Sequence, residues 1–204
     1  MHSLRQYQHG SPEWRASLAR ARANPVMRDV GYEGPWTLYD RLTAAVAATT
    51  ATSLRFFQSP ISATKTKNDT NLLSAGQLPH PERFKVLALR FIFAPNMHPG
   101  DIELFLSTYY AEFYVGQSIY AEGPMSLYPG GGGISTAATA YSNNGVPDPR
   151  AIYSLGDKGP EIGQGENFYV LCTGTAFTLQ TAANGGTGQD ILCVLDGIRV
   201  RAVS

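Results

Sequence analysis

The run at 84–94, FKVLALRFIFA, does most to limit what this chain can fold into. Read with the two-residue period of a strand, one set of side chains is Phe84, Val86, Ala88, Arg90 and Ile92. The other is Lys85, Leu87, Leu89, Phe91 and Phe93. Both sets are mainly apolar, so the run reads as a strand covered on both sides. That calls for layered β-structure.

Further strand patterns follow along the chain. They begin at 53–58. Residues 112–121 alternate, with Phe113, Val115 and Ile119 set against Glu112, Tyr114, Ser118 and Tyr120. Residues 168–172 form a short strand pattern, and 175–181 place Phe177 and Leu179 inside. In the tail, 190–203, Leu192, Val194, Ile198, Val200 and Ala202 share one parity, read as the core face. Asp196-Gly197 is either a two-residue hairpin turn or a bulge in one long strand. A single register keeps most of the apolar residues together, which favours the bulge. Residues 101–110 fit a helical turn capped by Asp101 or an isolated strand. The 21 glycines and 13 prolines cluster between these runs as turn residues. The count is about eight strands with long loops and few hairpin signals, which suits Greek-key crossings. The expected fold is all-β, an eight-stranded jelly-roll sandwich over 53–204.

Residues 1–52 read as an N-terminal arm with a short helix at about 12–23. Ser11 suits the N-cap, Pro12 the first helical position, and Asn24-Pro25 the stop. Trp14, Leu18 and Ala21 share one helix face. Over 1–28, Arg5, Arg15, Arg20, Arg22 and Arg28 stand against Glu13 alone, a net of +4. The stretch containing Trp36 and Leu38 is either a packed connector or an arm reaching onto a neighbour. The arm's first expected use is a subunit contact; its second is lipid headgroups or a genome. A net of +4 on a neutral chain is modest beside the basic bias of phosphate-dominated binders.

Charged residues are only 16% of the chain, against roughly 25% in an average domain. Sixteen basic and sixteen acidic side chains cancel. A sparse, balanced surface suits a protein that buries its exterior against partners. Twelve of the sixteen basic residues are arginines, whose planar fork fits fixed interfaces. Cys172 and Cys193 sit in apolar runs and read as buried thiols, with a cross-strand disulfide as the alternative. Arg5, His9, Glu13 and Arg15 interrupt any signal-peptide core, and the apolar run at 43–54 is too short to span a bilayer. Synthesis and retention in the cytoplasm, or in something assembled there, is the expectation.

Catalytic patterns are poor. His2 and His9 lie in the arm; His80 and His98 each precede proline. No pair has the spacing of a helical zinc site, and His98 with Glu103 is the nearest approach to a cupin-like set. There is no G-x-S-x-G elbow. Gly130 to Gly133 lack the Lys-Ser/Thr of a phosphate loop. Asp148, Asp157 and Asp190 show no calcium-loop spacing. The expectation is no enzyme, no cofactor, no metal and no small-molecule substrate. Tyrosines are concentrated instead: Tyr109, Tyr110, Tyr114, Tyr120 and Tyr128 fall within about twenty residues. Tyr114 and Tyr120 read as outward. Exposed tyrosines suit protein contacts first and sugar stacking second.

The segments Phe56-Phe57-Gln58-Ser59-Pro60, Lys67-Asn68-Asp69-Thr70-Asn71-Leu72 and Ala75-Gly76-Gln77-Leu78-Pro79, followed by the 84–93 strand, resemble phage virion proteins. So does the later order: an aromatic strand ending at Pro129, a glycine loop, Pro147-Asp148-Pro149, the 168–172 strand and a closing strand at 195–203. The chain is similar, over about 55–204, to single-jelly-roll capsid proteins of tailless icosahedral phages with an internal membrane. The resemblance implies a capsid subunit standing upright in a shell. Its sandwich edges and loops would meet its own copies and other capsid proteins, in virions assembled in a host cytoplasm. Trp14, Arg15, Leu18, Arg20, Arg22, Trp36, Tyr114 and Tyr120 are the candidate interface residues. The rival reading is a carbohydrate- or receptor-binding β-sandwich, a spike or fibre head, with its platform at Tyr114 and Tyr120.

Overall fold

The computed structural model describes residues 32–46, 49–94, 97–130, 135–137, 140–142, 153–180 and 190–201. The helix expected at 12–23 lies outside them. In chain order come β1 (Tyr32–Thr43), the short antiparallel pair β2 (Ala45–Val46) and β3 (Thr49–Thr50), β4 (Ser53–Phe56) and β5 (Glu82–Phe93). Helix α1 (Pro99–Thr108) precedes β6 (Tyr109–Val115) and β7 (Ser118–Pro124). A second short pair, β8 (Ser135–Ala137) and β9 (Ala140–Ser142), is followed by β10 (Glu161–Ile162), β11 (Phe168–Gly174) and β12 (Asp190–Arg201).

Two four-stranded sheets, β1-β12-β5-β10 and β4-β11-β6-β7, carry the architecture. Every pairing in them is antiparallel. The pairing is nested: β1 with β12, β4 with β11, β5 with β10, β6 with β7. The described residues thus form an all-β sandwich with one α-helix. The core lies between the sheets, where Phe56 of β4 meets Phe91 of β5 at 5.8 Å between ring centroids. Each fully buried aromatic or aliphatic side chain contributes roughly 2 kcal/mol through removal of apolar area from water.

β5 owes its doubly apolar pattern to a bulge, not to cover on both faces. Its core residues are Phe84 and Val86, then Leu89, Phe91 and Phe93; the inward parity flips between them. The register against β12 skips Leu87: Val86 pairs with Gly197, and Ala88 with Asp196. One extra residue in a strand turns every later side chain to the opposite face. β12 is one continuous strand, so the hairpin reading of Asp196-Gly197 falls; the extra residue at the register shift there belongs to β5, not to the tail. The core face of β12 is Ile191, Cys193 and Leu195, opposite in parity to the face expected from Leu192, Val194, Ile198 and Val200. Gly197 sits where a Cβ would lie 2.0 Å from the Lys85 carbonyl oxygen, so the two strands approach too closely there for a side chain.

Other local differences have similar causes. Residues 112–121 form the β6–β7 hairpin, not one strand; Gly116 takes φ +61° in its turn. α1 settles the 101–110 ambiguity, with His98 as N-cap, its ring accepting from Gly100 N at 3.1 Å. Asp101 instead accepts from Gln180 N at 2.9 Å. Within 175–180 there is no strand, only a bridge from Thr178 to Thr49, though Leu179 is buried and Phe177 packs on the core. Cys172 and Cys193 are both buried and free, and burial raises both thiols.

Residues 32–43, grouped with the arm in the sequence reading, pair with β12 along their whole length. The far edge of β1 is covered by the 65–71 loop. Arg41 N donates to Asp69 O at 2.7 Å, Tyr39 N to Asn71 Oδ1 at 3.1 Å, and Asn71 Nδ2 to Thr37 O at 2.7 Å. Asp40 points into the sandwich and is fully buried. It accepts from Phe57 N at 2.6 Å and pairs with Lys65. Phe57 is the one non-glycine residue with positive φ among the described residues, at +67°, and this bond fixes its backbone. Burial outweighs Lys65 and the Phe57 amide, so the Asp40 carboxyl titrates above its usual value of 3.8.

Candidate functional site

The outward face of the second sheet carries the most chemistry that the fold itself does not consume. Alternation along β4, β11 and β6 turns Leu54, Val170, Ala111 and Phe113 inward. The same alternation turns Arg55, Tyr169, Leu171, Tyr110, Glu112 and Tyr114 outward. Register then sets neighbours: Tyr169 lies opposite Tyr114, and Leu171 opposite both Arg55 and Glu112. Tyr169 and Tyr114 stack at 4.6 Å with planes 16° apart. From the β4 side, the Arg55 guanidinium lies 3.9 Å from the Tyr169 ring centroid. A guanidinium on a ring face gains about 0.5–1 kcal/mol at an exposed site and keeps its N–H fork at the periphery. No acid pairs with Arg55 among the described residues; every ion pair there belongs to the first sheet or the 65–71 loop.

This tier borders a cleft of about 360 Å³, lined by Arg55, Gln58, Gly76, Gly116, Asn167 and Tyr169 among others. The β6–β7 turn supplies one wall and the chain entering β11 another. Gln77 Nε2 donates to Asn167 Oδ1 at 2.7 Å, and in that orientation the Asn167 Nδ2 makes no hydrogen bond to another described residue. No carboxylate among the described residues lines the cleft. Glu166 stands beside it: Gly163 N donates to its Oε2 at 2.9 Å, and its Oε1 lies 3.6 Å from where a Cβ of Gly116 would be. Burial and then Glu112 push the Tyr114 phenol up, so it stays a neutral donor.

At the other end of the face, β7 has no strand on its far side among the described residues. Tyr120, the extra residue where the β6–β7 register shifts, is 50% exposed, and Ile119 is 44% exposed. Tyr110, Leu127 and Tyr153 are exposed as well. Beneath them Tyr128 is fully buried, edge-on to Tyr153 at 5.1 Å, and its phenol is pushed up to about 12 by burial and by Tyr153.

The candidate residues thus divide. Trp14, Arg15, Leu18, Arg20 and Arg22 lie outside the described residues. Trp36 is half-buried on the first sheet, edge-on to Phe84 at 5.7 Å with Arg199 4.2 Å over its ring, so its ring is largely occupied within the chain. Tyr114 and Tyr120 are on the second sheet, but Tyr114 belongs to the stacked tier and Tyr120 to the β7 rim. Arg55, Gln58, Asn167 and Tyr169 were not singled out from sequence. Alternation in 53–56 and 168–172 marks Arg55 and Tyr169 as outward, and would have found those two. Among the described residues no group of three His, Cys, Asp or Glu side chains is arranged to hold a metal.

No protein-family model, no curated protein and no solved structure matches this chain.

Proposed function

We propose that this chain is a structural virion protein, a capsid subunit whose sandwich is an eight-stranded jelly roll. The nested strand order carries the reading. A long antiparallel hairpin, rolled so that its paired strands fall alternately into two sheets, yields two Greek keys, the winding of a jelly roll. The sheet orders β1-β12-β5-β10 and β4-β11-β6-β7 support that reading. The neutral, charge-poor composition and the apolar rim of β7 also support a block meant to be covered by neighbours. Its partners in this reading are its own copies and other capsid proteins. The N-terminal arm is the tether in this reading, with lipid headgroups or genome as the tether's second option, and the chain resides in virions assembled in a host cytoplasm.

The test is assembly of the purified full chain, followed by light scattering and electron microscopy as concentration rises. Closed shells or regular oligomers are expected. Ile119→Glu and Tyr120→Glu should reduce them without moving the unfolding midpoint. A chain that stays monomeric at every concentration overturns the reading. A second reading, a carbohydrate- or receptor-binding sandwich, is favoured by one observation: the Arg55–Tyr169–Tyr114 tier at the rim of a polar cleft.

A further inference from the structure

We infer that the cleft between the β6–β7 turn and the end of β4 binds a carboxylate-bearing sugar of the uronic or sialic acid type. The inference rests on the cleft alone, so it stands or falls independently of the shell reading.

Three observations carry it. First, the cleft presents donors and no described acid lines it. Among the described residues Arg55 has no ion-pair partner, Gln58 makes no side-chain hydrogen bond, and the Asn167 Nδ2 has no acceptor. A planar guanidinium matches a carboxylate with two parallel N–H···O bonds, a match that an ammonium cannot make. Second, that guanidinium is held in place beforehand. Tyr169 is braced from behind by Tyr114, so the stack holds the Arg55 guanidinium over a fixed ring and lowers the entropy lost when a ligand is gripped. Third, size and polarity suit a sugar. About 360 Å³ is at the small end of ligand sites. The Gln58 and Asn167 amides offer paired donor and acceptor atoms for vicinal hydroxyls. Both faces of Tyr169 are occupied, one by Arg55 and one by Tyr114, so recognition here is by the acid group and hydroxyls, not by a ring stacked on tyrosine.

Titrations of the full chain with methyl glucuronide, methyl sialoside, methyl glucoside, acetate and inorganic phosphate, followed by side-chain amide NMR, test this. At least one acidic glycoside should bind saturably and shift the Gln58 and Asn167 amide signals. Methyl glucoside, which has a CH₂OH in place of the carboxylate of methyl glucuronide, should bind at least about tenfold more weakly. Arg55→Gln should erase that preference with its unfolding midpoint retained, and Arg55→Lys should restore it only in part. Saturation by neither acidic glycoside, equal binding of the neutral one, or unchanged selectivity in Arg55→Gln would each overturn the inference. Acetate or phosphate binding as tightly as the glycosides would reduce the cleft to a simple anion site and overturn the sugar assignment.

Discussion

The two sheets have the same number of strands and are held in opposite ways. The first is latched by charge. Arg90 grips Asp196 through Nε at 2.6 Å and Nη2 at 3.3 Å, and Thr37 Oγ1 donates to the same carboxylate at 2.9 Å. Glu82 is approached by Arg199 and Arg201, Arg83 by Glu161, and Asp40 is paired with Lys65. The outward face of the second sheet has none of these latches among the described residues. Rings and one guanidinium are stacked there, and no described strand covers its β7 edge. The first sheet spends its polar groups on its own geometry, whereas the second leaves donors and rings for something else to meet. That division is why both functional readings point to the second sheet.

The sharpest way to break this contrast is to remove a latch. Lys65→Met leaves the fully buried Asp40 carboxylate without its counter-charge, and should cost about 3 kcal/mol at neutral pH in urea unfolding. The loss should shrink in acid. Asp40 has a folded pKa raised above 3.8, so its contribution to stability is present below that value and lost as pH rises through the folded pKa. Without Lys65 the folded pKa moves higher still, and the deficit against wild type therefore widens with pH. A deficit independent of pH would show that Asp40 is not the group responsible.

Next in size is Gly197→Ala. A Cβ there meets the Lys85 carbonyl at 2.0 Å, and forcing the strands apart should cost about 2 kcal/mol, read as a lowered denaturation midpoint. Arg90→Ala, which strips the bidentate partner from Asp196, should cost about 1.5 kcal/mol by the same measurement. On the second sheet, Tyr114→Ala should cost only about 1 kcal/mol, the scale of one ring stack. Arg55→Ala should cost less again, about 0.5 kcal/mol, the scale of an exposed cation–π contact. If the Arg55 or Tyr114 variants were as damaging as Lys65→Met, the tier would be structural glue and the contrast would collapse.

Alternation of apolar and polar residues was enough to read the β class and the strands β4, β5, β11 and β12, while β1 passed for part of the arm and β10 went unread. It misled wherever a strand gained a residue. At β5 the extra residue at Leu87 mixed two half-faces into one apolar-looking run, and period-two reading cannot distinguish that from a strand buried on both sides. At β12 the pairing that decides which parity faces the other sheet comes from partners some hundred residues away, and Leu192 and Val194 on the opposite parity are as apolar as the core set, Val194 being buried itself. The Gly116 turn was missed because Val115-Gly116-Gln117-Ser118 carries only one turn residue. In the candidate site, the tyrosine enrichment was visible, but the tier was not. Tyr114, Tyr169 and Arg55 become neighbours only through registry across three strands, and the cleft gathers side chains from four separate stretches of chain.

Tyr32 lies directly opposite Arg201. Tension arriving through the residues before one and after the other would therefore load the β1–β12 ladder at a single end. The rungs would part in succession, like a zipper, rather than resisting together in shear. A ladder joined this way opens most easily from that one end, so whatever restrains Tyr32 and Arg201 also guards the seam.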